Sequence, residues 1–484
     1  MPLIHLAFAL ALCVAATARA ALPEPVMSRL NAAGIPPDAM AALVVRLSDG
    51  ETLLAHQPDR AMQPASTLKL VTSLAALETL GPTYRGRTEL RARGPLAGDR
   101  LEGDLVLKGY GDVDFDWRAL ERLLQLARQK GIREVSGDLV LDLTFFTPPR
   151  TDVGVPPFDE APEFRYNVIP DALMLNTNLL LVDLHSDDST VRASITPEID
   201  RVSIASEMKL VDRACEDWED GWIIPSVARE ARGGLRIRLQ GEFPRHCSAA
   251  TSINVIERTA FVERLFRAMW RRLGGSIQGR VRQGEMPADA RLVAQHESRT
   301  LAELMRDVNK RSDNPITRVV YLTLGALSAA PSSEPTARRA DMVLREWLQR
   351  RGIDPTGIVL ENGSGLSRSE RISASQLVAV LKAGVASDWA PEFLSSLPIV
   401  AMDGGMRRRL GDTPAARRSR IKTGTLRDVT AVAGYVKDEA GATHLVVAMV
   451  NHPLAKRHVA RPIVDSLLEW VARRRATRLP APSS

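Results

Sequence analysis

The segment from Pro64 to Leu80 constrains the fold of this chain more than any other stretch. Apolar residues recur at helical spacing from Leu68 onward, and Gly81-Pro82 follows where a helix would end. Ser66 and Lys69 are three residues apart, so a helix would place both on one face. A serine needs a base within hydrogen-bond distance to become nucleophilic, and lysine is a base only when neutral. Taken alone, this pair is more typical of an ordinary amphipathic helix.

Two later motifs change that interpretation. Ser312-Asp313-Asn314 provides an S-x-N sequence, and Lys422-Thr423-Gly424-Thr425 provides K-T-G followed by a hydroxyl residue. With S-x-x-K, in this order, they form the catalytic signature of penicillin-binding proteins and serine β-lactamases. We expect S-x-N on a turn between helices, with Asn314 as N-cap and Pro315 as the first helical residue. Lys422 should lie on a strand preceding two further strands.

The spacing of the motifs indicates a particular family. Ser312 follows Ser66 by 246 residues, and Lys422 follows Ser312 by 110 residues. Class A β-lactamases have a short first interval, whereas this large insertion resembles the peptidase S13 group. That group comprises D-alanyl-D-alanine carboxypeptidase/endopeptidases of the penicillin-binding protein 4 type. The stretches 363–368 and 397–405 are also similar to this family. The resemblance covers essentially the whole mature chain and is weakest at 147–235.

The resemblance implies an α/β (α+β) fold. Its core would be a serine β-lactamase/DD-peptidase-like domain, an antiparallel sheet flanked by helices, with a large β-rich insertion between the first two motifs. A chain of 484 residues is also long enough for two or three domains. We assign 21–84 plus 256–484 to the DD-peptidase (transpeptidase-like) domain and 85–255 to the insertion. The insertion forms either one module or two subdomains, about 85–146 plus 236–255, and 147–235.

The insertion contains a short internal repeat. Gly103-Asp104-Leu105-Val106-Leu107 recurs almost unchanged as Gly137-Asp138-Leu139-Val140-Leu141, with a predicted helix at 117–130 between the copies. Asp112, Asp114 and Asp116 alternate as in a calcium loop, but the required glycine and closing glutamate are missing. We therefore interpret these three aspartates as turn residues.

Residues 1–20 have the pattern of a secretory signal peptide, with an apolar core and small residues flanking Arg19 at the cleavage site. The apolar run is too short for a membrane anchor. Export to the periplasm would place the mature chain in an oxidising compartment. We expect its two cysteines, Cys215 and Cys247, to form a disulfide, with two buried free thiols as the alternative.

Charge and composition restrict the partners. The net charge is +6, but the basic residues are scattered and no basic run is interleaved with aromatics. We therefore expect no nucleic-acid partner. The last predicted helix, 461–475, ends in three arginines, which allows at most peripheral membrane contact; a packed helix with a solvated basic end is the preferred interpretation. No metal-binding histidine spacing, G-x-S-x-G motif or phosphate loop occurs, so we expect neither a metal nor another cofactor.

The resemblance further implies a role for each motif residue. Ser66 would attack the carbonyl of the penultimate D-Ala and form an acyl-enzyme, and Lys69 would accept the hydroxyl proton. Lys422, a second cation in the cleft, should help to lower the pKa of Lys69. Ser312 would relay the proton to the leaving amine, and Asn314 would hold the substrate amide and Lys69.

Further residues would bind the substrate. Lys422, Thr423 and Thr425 would receive the terminal carboxylate, with Gly424 between them, and the backbone N–H groups of Ser66 and Thr425 would form the oxyanion hole. Arg368 is the candidate for a carboxylate of a second stem peptide, because guanidinium binds carboxylates bidentately. Asp159, with nearby Phe164, is the candidate for the ammonium of diaminopimelate; an ordinary turn residue is the alternative.

The implied function is that of a serine DD-peptidase acting on peptidoglycan. It would remove terminal D-Ala from stem peptides, cleave D-Ala–diaminopimelate cross-links, or do both, and β-lactam antibiotics would be its covalent inhibitors. Two alternatives are a serine β-lactamase and a non-catalytic peptidoglycan-binding protein. The extra module argues against the first, and the three intact motifs argue against the second.

Overall fold

The computed structural model describes residues 21–153, 161–331 and 333–475. The predicted signal peptide and Asp159 lie outside these residues. The described residues contain ten α-helices: α1 Glu24–Ala32, α2 Lys69–Leu80, α3 Trp117–Gln129, α4 Arg258–Arg272, α5 Leu301–Lys310, α6 Asn314–Ala326, α7 Thr336–Arg350, α8 Ala374–Ala386, α9 Ala390–Ser396 and α10 Arg457–Ala472.

The same residues contain twenty-one strands. In chain order these are β1 Met40–Arg46, β2 Thr52–His56, β3 Arg87–Ala92, β4 Leu96–Ala97, β5 Arg100–Leu101, β6 Leu105–Tyr110, β7 Glu134–Val135, β8 Leu139–Asp142, β9 Leu180–Ser186, β10 Val191–Thr196, β11 Val202–Ser206, β12 Lys209–Val211, β13 Trp222–Arg229, β14 Leu235–Pro244, β15 Ser248–Ile253, β16 Ser276–Ile277, β17 Val281–Gln283, β18 Arg291–Glu297, β19 Arg420–Leu426, β20 Val429–Lys437 and β21 Thr443–Asn451.

The motif-bearing sheet joins the two ends of the chain. Its order is β19-β20-β21-β1-β2, and every neighbouring pair is antiparallel. The alternation of side chains places Ala431 and Tyr435 of β20 in the core beneath the larger helical layer. Val432 and Val436 point to the opposite face, where they pack with α1 and α10. Because both faces are covered, β20 is apolar along nearly its whole length, and the predicted fold class is confirmed.

Helix α2 occupies the centre of the larger helical layer. All nine residues from Lys69 to Leu77 are buried, and the helix packs against α5, α6, α7 and α8. It ends at Gly81, whose φ of 83° requires the left-handed conformation that glycine adopts without strain. A helix buried on all sides can hold a polar side chain only where that side chain has partners. This makes Lys69 the unusual residue of α2.

The internal repeat pairs with itself. Leu105, Val106 and Leu107 of β6 lie in parallel register with Leu139, Val140 and Leu141 of β8. Helix α3 crosses between the two strands, as a parallel β-α-β connection requires. Together with β3, β17 and β18 they form a five-stranded sheet in the order β17-β8-β6-β3-β18.

Strands β9 to β15 form a second group in the insertion, and the short strands β4, β5, β7 and β16 form a separate sheet in the order β16-β7-β5-β4. β9 pairs with β10 and β15, and β14 pairs with β11, β12 and β13. Cys215 and Cys247 are joined by a disulfide that ties the turn before β13 to the start of β15. Strands β14 and β15, at 235–253, therefore pair with strands of 180–229, whereas the two-subdomain alternative of the sequence analysis grouped 236–255 with 85–146.

Residues that follow position 255, the predicted end of the insertion, also contact the insertion. Helix α4 contributes Phe261 and Leu265 to the core of the insertion, and β18 pairs with β3 as far as Glu297. These contacts join residues about 200 positions apart in sequence and are invisible to local patterns. We propose that the insertion extends from about 87 to 297, with 180–253 as its outer subdomain. Among the described residues, no helix combines the length and apolarity needed to cross a bilayer.

Candidate active site

Ser66 lies on a tight turn immediately before α2. A 3-10 turn covers Ala65–Leu68, and Ala65 has a φ of 45°, a strained value for a residue with a side chain. Two glycines allow neighbouring backbone to approach this turn. A Cβ atom at Gly365 would lie 1.8 Å from the Ala65 carbonyl oxygen, and one at Gly424 would lie 2.9 Å from the Ser66 nitrogen. The K-T-G strand therefore passes directly beside the backbone N–H of Ser66.

The amine of Lys69 lies between three oxygen atoms. Its Nζ is 2.9 Å from Ser66 Oγ, and it donates to Asn314 Oδ1 and to the Ser364 carbonyl oxygen, each at 2.6 Å. A neutral amine has two hydrogens and one lone pair. The two acceptors at 2.6 Å use both hydrogens, which leaves the lone pair for the hydroxyl proton of Ser66.

Burial favours this neutral form of the Lys69 amine. The side chain is fully buried, and desolvation lowers the pKa of Lys69 to about 7. The negative charges of Asp313 and Glu370 oppose this effect, while the buried guanidinium of Arg318 lowers the pKa further. The sequence analysis expected Lys422 to act on Lys69, but burial is the main cause.

The S-x-N motif forms the turn between α5 and α6, as expected, but its cap differs from the prediction. Asp313 is the N-cap and accepts from the Ile316 backbone N–H, while Asn314 is the first helical residue. Because Asp313 satisfies the helix terminus, the Asn314 side chain is free to contact Lys69. Its Nδ2 atom donates to the Tyr166 carbonyl oxygen at 3.0 Å, which leaves one amide hydrogen for a substrate.

Lys422 and Ser312 face each other across the cleft. Lys422 Nζ donates to Ser312 Oγ at 2.9 Å and to the backbone carbonyl oxygen of the adjacent Thr423 at 2.8 Å. Ser312 has a φ of 60°, a second strained residue within a motif. Burial lowers the pKa of Lys422 well below its usual value, and repulsion by Lys69 adds to this. An arriving carboxylate would reverse the effect, because an opposite charge favours the ammonium form.

The strand β19 presents the remaining motif residues alternately. Lys422 and Gly424 are buried, whereas Thr423 is half-buried and Thr425 is exposed at the cleft. Gly405 packs beside Thr423, since a Cβ there would lie 2.4 Å from the threonine hydroxyl oxygen. The two threonine hydroxyls are therefore accessible, while the lysine contributes only its charge and its hydrogens.

A buried carboxylate holds the loop that contacts Lys69. Glu370 is fully buried, and its Oε1 accepts from the backbone N–H groups of Glu361, Asn362 and Gly363. Asn362 in turn accepts from the backbone N–H and the hydroxyl of Ser364. The carbonyl of Ser364 is thereby fixed toward Lys69, and burial raises the pKa of Glu370.

One protein family matches nearly the whole chain. The sequence profile of the D-Ala-D-Ala carboxypeptidase 3 (S13) family matches residues 25–474. The chain belongs to this family. The predicted resemblance to peptidase S13 is thus confirmed over nearly the whole described chain.

Individual S13 relatives are distant in sequence but similar in length. A D-alanyl-D-alanine carboxypeptidase from Actinomadura sp. (strain R39) is 28% identical over 427 residues, covering 85% of this chain and 77% of the relative. The D-alanyl-D-alanine carboxypeptidase DacB of Haemophilus influenzae is 24% identical, covering 81% and 80% respectively. The crystal structure of penicillin binding protein 4 (dacB) from Haemophilus influenzae superposes with a TM-score of 0.76 at 21% identity, covering 93% of this chain and 99% of that chain. The S13 fold is therefore shared across the insertion as well as the core.

Arg368 and Asp159 are the residues predicted to bind a second stem peptide, and only Arg368 lies among the residues that the structure describes. Arg368 lies in the loop that follows Ser364, and its carbonyl oxygen accepts from Gln63, three residues before Ser66. The structure thus places the Arg368 backbone beside the turn that carries Ser66. Asp159 lies outside the described residues, so its role stays a prediction.

Sequence reasoning did not identify the Ser364 carbonyl, Glu370 or Arg318 as parts of the site. The 363–368 stretch was noticed only for its similarity to S13 proteins, and a backbone carbonyl leaves no signature in side-chain patterns.

The interpretation of the three aspartates of 112–116 as turn residues fits their contacts. Asp112 lies 2.7 Å from His296 Nδ1, Asp114 accepts from Arg299, and Asp116 caps α3.

Proposed function

We propose that this protein is a serine DD-peptidase of peptidoglycan with Ser66 as the nucleophile. The arrangement of the Lys69 amine carries the proposal. Both of its hydrogens are held by fixed acceptors and its pKa lies near neutrality, so its lone pair can take the proton of the serine hydroxyl. A role as a solvated surface charge does not fit the complete burial of this lysine.

In the first step, Ser66 Oγ attacks the carbonyl carbon of the penultimate D-Ala while its proton moves to Lys69 Nζ. Backbone N–H groups of Ser66 and Thr425 stabilise the oxyanion. The C–N bond then breaks while the proton held by Lys69 is relayed through Ser312 to the leaving amine, so both side chains return to their starting protonation states. Water hydrolyses the resulting ester, which releases the shortened stem peptide and restores the hydroxyl.

Substrate selection depends on the other side of the cleft. Lys422 and the hydroxyls of Thr423 and Thr425 would bind the terminal carboxylate, and Asn314 would use its remaining amide hydrogen for the peptide carbonyl. Arg368 would bind a carboxylate of a neighbouring stem peptide, and Asp159 would bind an ammonium group. A β-lactam presents the same carboxylate and a strained amide, so it would acylate Ser66 and block the site.

We place this activity in the periplasm, on stem peptides and cross-links. The signal-peptide pattern at 1–20 and the disulfide between Cys215 and Cys247 support this placement. Release of D-Ala from a pentapeptide, and of monomers from a cross-linked dimer, tests the activity directly. Rapid turnover of penicillin would instead favour a β-lactamase, and no acylation by penicillin would favour a binding protein.

A further inference from the structure

A polar groove begins beside the S-x-N motif and continues across the insertion. A cavity of about 390 Å³ lies between the start of α3, the strand β9 and the 3-10 turn Leu175–Asn178. A second cavity of about 460 Å³ continues toward the end of α4. Trp117 and Thr196 line both cavities, so the two are adjacent, and we refer to them together as the groove.

The near end of this groove is connected to the active site by one side chain. Arg165 lines the first cavity, and its guanidinium donates to Asp313 Oδ2 at 2.8 Å. It also donates to the Thr177 hydroxyl at 3.3 Å. Because Asp313 caps the helix that presents Asn314, the groove starts next to the residues that would hold a peptide substrate.

The wall beside Arg165 is built from an unusual turn. Asn176, Thr177 and Asn178 all have φ values between 51° and 54°. This left-handed conformation costs conformational free energy in residues other than glycine. Asn176 is fixed by donating its backbone N–H to the Phe115 carbonyl, and Asn178 by donating to Asn254 and to a backbone carbonyl. The turn presents Asn176 and Thr177 to the cavity as hydrogen-bonding groups.

The chemistry of the lining selects a neutral, polyhydroxylated ligand. In the first cavity Asp114 and Asp116 balance Arg118 and Arg165, and the second cavity has two acidic and three basic lining residues, so the groove carries little net charge and does not favour an anionic polymer. Trp117 supplies an aromatic ring, held on one side by the Arg118 guanidinium at 4.2 Å from its centre. An aromatic ring flanked by amides, hydroxyls and carboxylates offers an apolar platform together with donors and acceptors, which is the combination that sugar rings require.

We propose that this groove binds the glycan strand of peptidoglycan, an N-acetylated aminosugar polymer, while its stem peptide occupies the active site. The proposal rests on the proposed function. A stem of about four residues spans about 13 Å when extended, so the sugar that carries a bound stem must lie near the active site and close to the protein surface. The groove that starts at Arg165 is a preformed surface in that region.

The test uses the full-length mature chain carrying Ser66→Ala, so that binding is separated from turnover. Calorimetry would measure its affinity for peptide-free glycan oligosaccharides. Leu181→Arg fills the first cavity from the exposed face of β9, where Leu181 is 38% exposed. His185→Arg adds the same charge on the same face of that strand, outside both cavities, and serves as the matched control.

We expect Leu181→Arg to weaken glycan binding about tenfold or more, and His185→Arg to leave it unchanged. With Ser66 intact, Leu181→Arg should slow cleavage of polymeric peptidoglycan while cleavage of a free pentapeptide stays as in the wild type. Pentapeptide cleavage reports on the proposed function, so its loss in the wild type would be a separate failure. The proposal is overturned if the oligosaccharides do not bind, if Leu181→Arg binds them as the control does, or if a sugar-free anionic polymer or a protein occupies the groove instead.

Discussion

The Nζ atom of Lys69 lies 2.6 Å from the carbonyl oxygen of Ser364, 295 residues later in the chain. This contact and the one to Asn314 orient an amine that is fully buried. The insertion separates Lys69 from both partners in sequence, yet the fold returns the chain to the same point. Most of the predictions below follow from this arrangement.

The pH dependence of acylation should report the protonation of Lys69. Its pKa is lowered to about 7, and only the neutral amine can accept the Ser66 proton. The acylation rate by penicillin should therefore rise with pH through a midpoint near 7 and then level off. Stopped-flow measurements across this range check the prediction, and a rate independent of pH between 5 and 9 would rule out Lys69 as the titrating base.

Glu370→Gln should move that midpoint toward lower pH. The carboxylate raises the pKa of Lys69, so its removal leaves burial and Arg318 less opposed. Glu361→Gln is the matched control, because it removes a carboxylate from the same loop while its side chain contacts Ser367 and Ser369. Equal midpoints for Glu370→Gln and the wild type would show that Glu370 only supports the loop.

The contacts of Lys69 also mark the limit of sequence reasoning. The helix at 69–80, the three motifs and the strands at 429–437 and 443–451 follow from local periodicity and turn residues. The Ser364 carbonyl and the Glu370 carboxylate do not, because their roles depend on a loop folded back from a distant part of the chain. The cap of α6 is another example: two adjacent residues, Asp313 and Asn314, can each cap a helix, and only tertiary contacts decide between them.

The insertion illustrates the same limit at a larger scale. The repeat at 103–107 and 137–141 is evident in the sequence, but its parallel self-pairing depends on α3 crossing between the copies. The pairing of β18 with β3 joins Glu297 to Arg87. Local patterns therefore predict that strands exist there, but not which strands share a sheet or where the insertion ends.

Reduction of the Cys215–Cys247 disulfide should destabilise the outer subdomain. The bond closes a loop with a sequence separation of 32 residues, for which the chain-entropy estimate is a loss of about 3–4 kcal/mol in the free energy of unfolding. Denaturant titration with and without reductant measures this loss. A Cys215→Ser/Cys247→Ser variant should not respond to reductant, and penicillin acylation of the reduced protein should persist. An unchanged unfolding curve would contradict the prediction.

Arg368→Ala should slow cleavage of substrates that carry the carboxylate of a second stem peptide. A cross-linked dimer should be affected more than a single pentapeptide, and acylation by penicillin should remain nearly unchanged. Arg368→Lys keeps the charge without the bidentate geometry and should give an intermediate rate. Asp159→Ala should act in the same way on substrates with a free ammonium group. Parallel loss of penicillin acylation in these variants would mean that they support the catalytic cleft itself.

Identification of the residue that penicillin acylates tests directly whether Ser66 is the nucleophile. The protein would be incubated with penicillin, digested, and analysed by tandem mass spectrometry. We expect a single adduct on Ser66 and none on Ser66→Ala. The free energy of unfolding of Ser66→Ala should change by no more than about 0.5 kcal/mol, because the residue is only partly buried. An adduct on another residue, or a labelled and folded Ser66→Ala protein, would contradict this assignment of the nucleophile.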